Sequence, residues 1–265
     1  MAGGEGTRLR PLSLGSPKPM TPLLGRPVME HIIGLLKRHG IGDICVTLCY
    51  KPQGVMDHFG DGDRLGVRLT WYTEDEPLGT AGSVKGCMDR LGEEDFLVIG
   101  GDCVCDLDLS QLIRFHRERG AQATLGLYRH DSPLEYGLVL TDREGRVERF
   151  VEKPGWGQVF TDQINTGIYV LSPAAMERVP QDVPWDFGKD LFPALLREGA
   201  PLYGLPLAGY WRDMGDCRAY LDCACDILSG KVALDMGLPK REGGIWSAAP
   251  LPAGIHLVPP CWIGE

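Results

Sequence analysis

GGEGTRLRPLSLGSPKPM (residues 3–20) sets Gly3, Gly4 and Gly6 just ahead of Thr7, Arg8 and Arg10, with Lys18 following. Glycine lacks a Cβ, so such a run permits a tight turn in which successive backbone N–H groups converge on an oxygen anion. Two cations beside that turn suit a triphosphate losing its terminal pyrophosphate. The stretch is not a kinase-type loop, because no Gly-Lys-Ser/Thr closes it. It is not a dinucleotide fingerprint either, because Leu9 stands where the third glycine belongs. A phosphate loop needs a buried strand behind it, and here only Met1 and Ala2 precede it. The expectation is that this strand is absent from the chain. Either translation begins upstream, the numbering starts inside a longer protein, or the product is inactive.

Downstream of the loop, short apolar strands alternate with helices of about ten residues. VMEHIIGLLKRHGI places Val28, Ile32 and Leu36 on one helical face, with Gly40 able to cap it. Strands are expected at 44–50, 67–72, 96–102 and 122–129, and helices at 80–91 and 109–120. This alternation predicts an α/β fold, a mixed sheet with helices on both faces. After residue 130 the rhythm changes. YGLVLTDREGRVERFVEKP reads as an antiparallel insertion of two strands joined by a turn at Asp142–Gly145. A strand at 165–172, a helix at 186–199, a strand-like run at 201–211 and a final helix complete a domain expected over residues 1–230. In residues 231–265, Leu251, Leu257 and Ile263 recur every six positions. That spacing predicts a linker and the start of a left-handed β-helix.

Bulk properties narrow the function. A chain of 265 residues with 43% apolar side chains can bury a core without staples. Its net charge of −9 argues against a general nucleic-acid binder, which needs a basic face. No apolar run reaches the ~18–20 residues that span a bilayer, and no secretory leader is read. The nine cysteines lack framework spacing. Cys217, Cys223 and Cys225 lack the Cys-x-x-Cys spacing of a zinc site. Buried, reduced thiols and a cytoplasmic setting are expected. The six histidines form no constellation and read as structural or solvated.

The ordered motifs GGEGTRLRPLSLGSPKPM, PLGTAGSV, GGDCVCDLDL, EYGLVL, FVEKP, NTGIYV and YWRDMG resemble those of the sugar-nucleotide pyrophosphorylases. The PLGTAG, VMEHII and DLDLSQLIRFH segments look most like those of mannose-1-phosphate guanylyltransferases. The resemblance covers about residues 1–230 and implies the nucleotide-diphospho-sugar transferase fold. The implied reaction is attack by a sugar 1-phosphate oxygen on the α-phosphorus of a nucleoside triphosphate, releasing pyrophosphate. Its nucleophile is already an anion, so positioned cations matter more than a general base.

By this resemblance Asp102 and Asp213, 111 residues apart, chelate one Mg²⁺. Taken alone, Asp102 reads as a turn or cap residue and Asp213 as a helix N-cap. Arg8 is expected to stabilise the triphosphate, and Lys18 the sugar phosphate or α-phosphate. Lys153 is expected to be a second phosphate clamp. Glu152 and Asn165 would bind sugar hydroxyls, Gly137 would offer its backbone to the sugar, and Gly79 and Thr80 would line the nucleobase. Glu152 and Lys153 are adjacent on a strand, so they are expected to point opposite ways. Trp211 either stacks or packs. GTP with mannose 1-phosphate is the leading substrate pair, and glucose 1-phosphate with UTP or dTTP the nearest enzymatic alternative. A non-catalytic regulatory subunit would be expected to have lost one of these charged residues. Homo-oligomers are common in the related enzymes, but the sequence fixes no copy number.

Overall fold

The computed structural model describes residues 1–241, 244–247, 254 and 256–264. After the loop come the two-residue strands β1 (Pro22–Leu23) and β2 (Arg26–Pro27), which form a tight hairpin. Helix α1 (Val28–Arg38) leads to β3 (Asp43–Leu48), α2 (Pro52–Phe59) and β4 (Arg68–Thr73). Helices α3 (Gly79–Gly86) and α4 (Met88–Leu91) divide what the sequence suggests is one helix, with the break at Cys87. Strands β5 (Phe96–Val98) and β6 (Cys103–Cys105) precede α5 (Leu109–Arg119) and β7 (Ala123–Arg129).

The expected antiparallel insertion is β8 (Leu138–Thr141) and β9 (Val147–Val151), closed by the Gly145 N–H donating to the Asp142 carbonyl at 3.2 Å. The long strand β10 (Gln163–Leu171) follows, then the one-turn α6 (Pro173–Met176). A π-helical turn (Phe187–Leu191) runs into α7 (Phe192–Arg197). Strands β11 (Leu202–Pro206) and β12 (Trp211–Asp213) and helix α8 (Cys217–Leu228) complete this part.

The main sheet has the order β11-β7-β10-β8-β9, with β5 added to the far half of β10. Only β11 and β7 run parallel within it. Both faces of β10 are buried, which its alternation makes visible. Tyr169 and Leu171 enter a cluster with Phe187, Leu191, Phe192 and Leu195 from the π-turn and α7. Ile168 and Val170 enter another, with Ile32 and Leu36 from α1 and Leu109 and Leu112 from α5. Helices therefore cover both faces. Phe187, Phe192, Leu109 and Leu112 are fully buried, each contributing about 1.5–3 kcal/mol of transfer free energy.

Strands β3 and β4 form a separate parallel pair. Between β3 and β5 lie Met1 and Ala2. The Ala2 N–H donates to the Thr47 carbonyl at 2.9 Å, the Met1 ammonium donates to Ile99 O at 2.9 Å, and the Gly101 N–H donates to Met1 O at 2.8 Å. Beyond these two residues the two strands flank an apolar cavity of about 390 Å³, lined by Ile33, Cys45, Val46, Val84, Val98 and Ile99 among others.

In the tail, β13 (Lys240–Arg241) pairs antiparallel with β14 (Ile245–Ser247), and β14 pairs in parallel with β15 (Cys261–Ile263). Of the six-residue repeat, Leu251 lies outside the described residues, while Ile263 sits in β15. All nine cysteines are free. No described helix is long and apolar enough to cross a membrane.

Candidate active site

Asp102 and Asp213 meet because two very short strands pair. Strands β6 and β12 run antiparallel with Asp213 opposite Cys103, the residue after Asp102. The Met214 N–H donates to the Asp102 carbonyl at 3.2 Å and locks the crossing. Two readings of the sequence need correction here. Asp102 does not end the strand that begins at Phe96; that strand stops at Val98, and Asp102 lies in the turn before β6. Asp213 is not a helix N-cap either, since Asp216 caps α8 by accepting from the Ala219 N–H at 2.8 Å.

Lys18 sits between the two carboxylates. Its Nζ donates to Asp102 Oδ2 at 2.8 Å and to Asp213 Oδ1 at 3.1 Å, and its side chain is only 11% exposed. The backbone there is held by Pro17 and Pro19 in a 3₁₀ turn, and the Lys18 N–H donates to Gly4 O at 3.0 Å. Burial is the largest influence on the ammonium and pushes its pKa down, but the two carboxylates outweigh it and the net shift is upward. The Asp213 carboxyl is pushed up by burial, against the pull of Lys18.

These carboxylates form part of the wall of a cavity of about 680 Å³. Arg8, Thr80, Gly137, Glu152, Lys153 and Asn165 also line it, so six more of the sequence-derived candidates share this space. Gly3, Gly4, Gly6, Thr7, Lys18 and Gly79 do not line it, and Lys18 reaches its wall only through its bonds to the two carboxylates. The glycines instead shape the loop around Lys18. Gly6 is left-handed (φ 73°), and a Cβ there would lie 2.9 Å from the Lys18 Cβ. At Gly3 a Cβ would lie 3.3 Å from the Cys49 Cβ. Thr7 opens the 3₁₀ turn that carries Arg8. Arg8 is largely exposed and pairs with Glu135 at 3.6 Å.

Glu152 and Lys153 both face the cavity, against the alternation expected of a strand. Strand β9 ends at Val151, and Lys153 takes a left-handed backbone (φ 44°) that turns the chain. Positive φ in a non-glycine residue costs free energy and occurs preferentially at functional sites. Two glycines make room for Glu152. A Cβ at Gly137 would lie 2.7 Å from its Oε2, and one at Gly188 2.5 Å. Burial raises the Glu152 pKa, while Lys153 and Lys189 pull it down.

Asn165 sits at a bulge. Strand β10 pairs with β7 up to Asn165 and resumes at Tyr169, and Thr166 and Gly167 between them arch into the cavity wall. The Asn165 side chain holds the arch, its Nδ2 donating to Tyr169 Oη at 2.9 Å and its Oδ1 accepting from the Gly167 N–H at 3.1 Å. Thr80 is tied to the π-turn, donating from Oγ1 to Asp186 Oδ1 at 3.1 Å and accepting from the Phe187 N–H at 3.0 Å. Gly79, left-handed at φ 71°, lets α3 start against the Trp185 carbonyl, which a Cβ would approach to 2.7 Å.

Sequence reasoning missed Tyr136, Thr166, Tyr169 and Asp186. Trp211 packs: it is 5% exposed, lines the cavity, and meets the Tyr136 ring edge-on with centroids 5.4 Å apart. NTGIYV signals Thr166 and Tyr169 only as strand residues, because no sequence pattern reveals the bulge that turns them inward. Asp186 opens the helix expected over 186–199, and nothing in that pattern reveals its bond to Thr80.

The nucleotidyl transferase family model matches residues 1–230. The chain belongs to that family. It is 39% identical over 231 residues to the mannose-1-phosphate guanylyltransferase of Mycobacterium tuberculosis, covering 87% of this chain and 64% of the relative. It is 35% identical over 282 residues to the UTP–glucose-1-phosphate uridylyltransferase of Synechocystis sp., covering 100% and 72%. A third relative, the mannose-1-phosphate guanyltransferase beta-A of Xenopus laevis, is 36% identical over 230 residues, covering 85% and 62%. The chain thus spans less than two thirds of the first and third of these proteins.

Among solved structures, HddC from Yersinia pseudotuberculosis complexed with GMP-PN superposes with a TM-score of 0.72 at 28% identity, covering 85% of this chain and 96% of that one. A Bacillus anthracis chain solved with sucrose matches the fold with a TM-score of 0.76 at 23% identity, covering 85% and 92%. In this nucleotidyl transferase the family match ends at residue 230, just past α8.

Proposed function

We propose that this nucleotidyl transferase moves a nucleotidyl group from GTP to mannose 1-phosphate, forming GDP-mannose and releasing pyrophosphate. One observation carries the reading. Two carboxylates from distant parts of the chain, bridged by one buried lysine, line a cavity that also holds Arg8, Glu152 and Lys153. A phosphate oxygen of the sugar 1-phosphate forms the new bond to the α-phosphorus as the bond to the pyrophosphate oxygen breaks. No proton need move. The barrier lies in bringing two polyanions together and in charge spread over phosphate oxygens.

Lys18, Arg8 and Lys153 answer that barrier with fixed or nearby positive charge. Arg8, mostly exposed on the cavity lining, is assigned to the triphosphate, and Lys153 lies beside Glu152, the group we assign to sugar hydroxyls. Asp102 and Asp213 suit a magnesium ion. Both are hard oxygen donors, and both already grip one cation, the Lys18 ammonium. Magnesium held there would supply charge neutralisation for the phosphates. All of these charged residues are in place, which favours an enzyme over a regulatory subunit. Nine free cysteines suit a reducing compartment such as the cytoplasm.

The choice of guanine and mannose rests on relatives carrying that name in Mycobacterium and Xenopus. A second reading, UTP with glucose 1-phosphate, is favoured by the Synechocystis relative, which aligns with the whole chain. Pyrophosphate release with magnesium, measured across GTP, UTP and dTTP against mannose 1-phosphate and glucose 1-phosphate, separates them. The highest kcat/KM is expected for GTP with mannose 1-phosphate. The highest value for UTP with glucose 1-phosphate would establish the second reading, and no release from any pair would sink both.

A further inference from the structure

The Lys18 ammonium occupies the point where both carboxylates converge. We propose that Lys18 is a built-in placeholder for the divalent cation: in the metal-free protein it holds Asp102 and Asp213 together, and a metal ion must displace it, releasing its ammonium toward the substrate phosphates. This rests on the transferase reading only in taking Asp102 and Asp213 as metal ligands.

Three features carry it. First, the ammonium makes its short contacts to one oxygen of each carboxylate, 2.8 Å to Asp102 Oδ2 and 3.1 Å to Asp213 Oδ1. A magnesium ion bound by both needs about 2.0–2.1 Å to each oxygen. Two cations sharing those oxygens would sit within a few ångströms, in a site where burial weakens screening. Second, only the end of Lys18 is free to move. The backbone is pinned between two prolines and bonded to Gly4, and the Cβ packs against left-handed Gly6. The ammonium can therefore swing on its last methylenes, but the residue cannot leave the site. Third, the carboxylates are held close by backbone pairing, with Asp213 in register opposite Cys103. Removing the ammonium leaves two adjacent anions rather than a collapsed site.

Metal loading and the freeing of a phosphate-binding cation are then one event. The ammonium lowers affinity for a lone metal ion, and it raises affinity for phosphate once metal is present. Such couplings typically amount to about 5–150-fold. The protein would thus resist metal alone and accept metal with nucleotide.

The test uses the full chain and two probes, Mn²⁺ and inorganic pyrophosphate. Mn²⁺ affinity is read by electron paramagnetic resonance without nucleotide. K18M keeps the apolar stem and should bind Mn²⁺ about tenfold or more tightly. K153M removes a like charge from the cavity that Asp102 and Asp213 line, without touching the carboxylates, and should change Mn²⁺ affinity far less. In the wild type, saturating Mn²⁺ should tighten pyrophosphate binding more than it does in K18M. A readout independent of any variant is the nitrogen-detected NMR signal of the Lys18 ammonium. It should be present without metal and should shift when Mg²⁺ is added.

Unchanged or weaker Mn²⁺ binding in K18M, equal gains in K18M and K153M, or a Lys18 signal unmoved by saturating Mg²⁺ would each overturn the proposal. The substrate panel is unaffected by those results, so the transferase reading would survive them. If D102N and D213N leave Mn²⁺ affinity untouched, the metal site itself fails, and the placeholder role fails with it.

Discussion

Glu152 shows how far one residue's environment can depart from its sequence context. Its carboxyl is raised above its ordinary value of 4.5 by burial. The folded state therefore holds that proton more tightly than the unfolded chain. Stability from this group is complete below about pH 4.5 and is lost as pH rises through the higher folded value. Glu152→Gln removes the penalty, so its Tm should exceed wild type at pH 7.5 and match it near pH 4, read by calorimetry across that range. The same substitution should raise the KM for sugar 1-phosphate about tenfold or more, since a buried acceptor for hydroxyls is exchanged for an amide. An unchanged KM would remove Glu152 from the sugar site. The motifs made legible which cations, carboxylates and amides gather at this cavity. Their neighbours were not. Nothing in SPKP announces that Lys18 bonds to residues 84 and 195 positions away. Nothing in FVEKP announces that Lys153 turns left-handed and lines the same cavity as Glu152.

At the scale of elements, Gly79 and Gly34 make a contrast that can be measured. Gly79 begins α3 with φ 71°, against the Trp185 carbonyl, which accepts the Ala81 and Gly82 N–H groups at 2.8 and 3.0 Å. Gly79→Ala should cost about 1–3 kcal/mol through strain and the loss of that cap. It should also displace Thr80 and raise the KM for nucleoside triphosphate. Gly34 lies inside α1, and a Cβ there meets no atom within 4 Å. Gly34→Ala should stabilise by about 0.4–1 kcal/mol. Urea unfolding of the two variants should move in opposite directions; parallel shifts would contradict the geometry. Long periodic elements such as α1, α5 and β7 were legible because burial imposes a 3.6- or 2-residue rhythm. Strands β6 and β12, three residues each, are too short to carry one, yet they bring the two carboxylates together. The bulge in β10 was likewise hidden, since NTG reads as the start of an ordinary strand.

For the molecule as a whole, the layering followed from the alternation of apolar strands and amphipathic helices, and the sheet has helices on both faces as that pattern implies. The strand order did not follow, because the central β10 draws partners from β5, β7 and β8 by non-local pairing. The apolar cavity between β3 and β5 makes the largest-scale prediction. Fusing five apolar, β-branched residues ahead of Met1 should fill that space and pair with both strands. Burial of about three side chains, at about 1.5–3 kcal/mol each, should raise Tm by on the order of 10 °C. An unchanged Tm would show that the cavity does not accept a strand.

On the proposed reading, Asp102, Asp213 and Lys18 form one cation centre at which nucleotidyl transfer takes place. Its most direct test is the rate of GDP-mannose formation from saturating GTP and mannose 1-phosphate with magnesium, in wild type, D102N and D213N, with folding checked by circular dichroism. Each variant should keep the wild-type spectrum and lose about 100-fold or more in kcat. Near-wild-type turnover by either folded variant would remove that carboxylate from the reaction and overturn the shared cation centre.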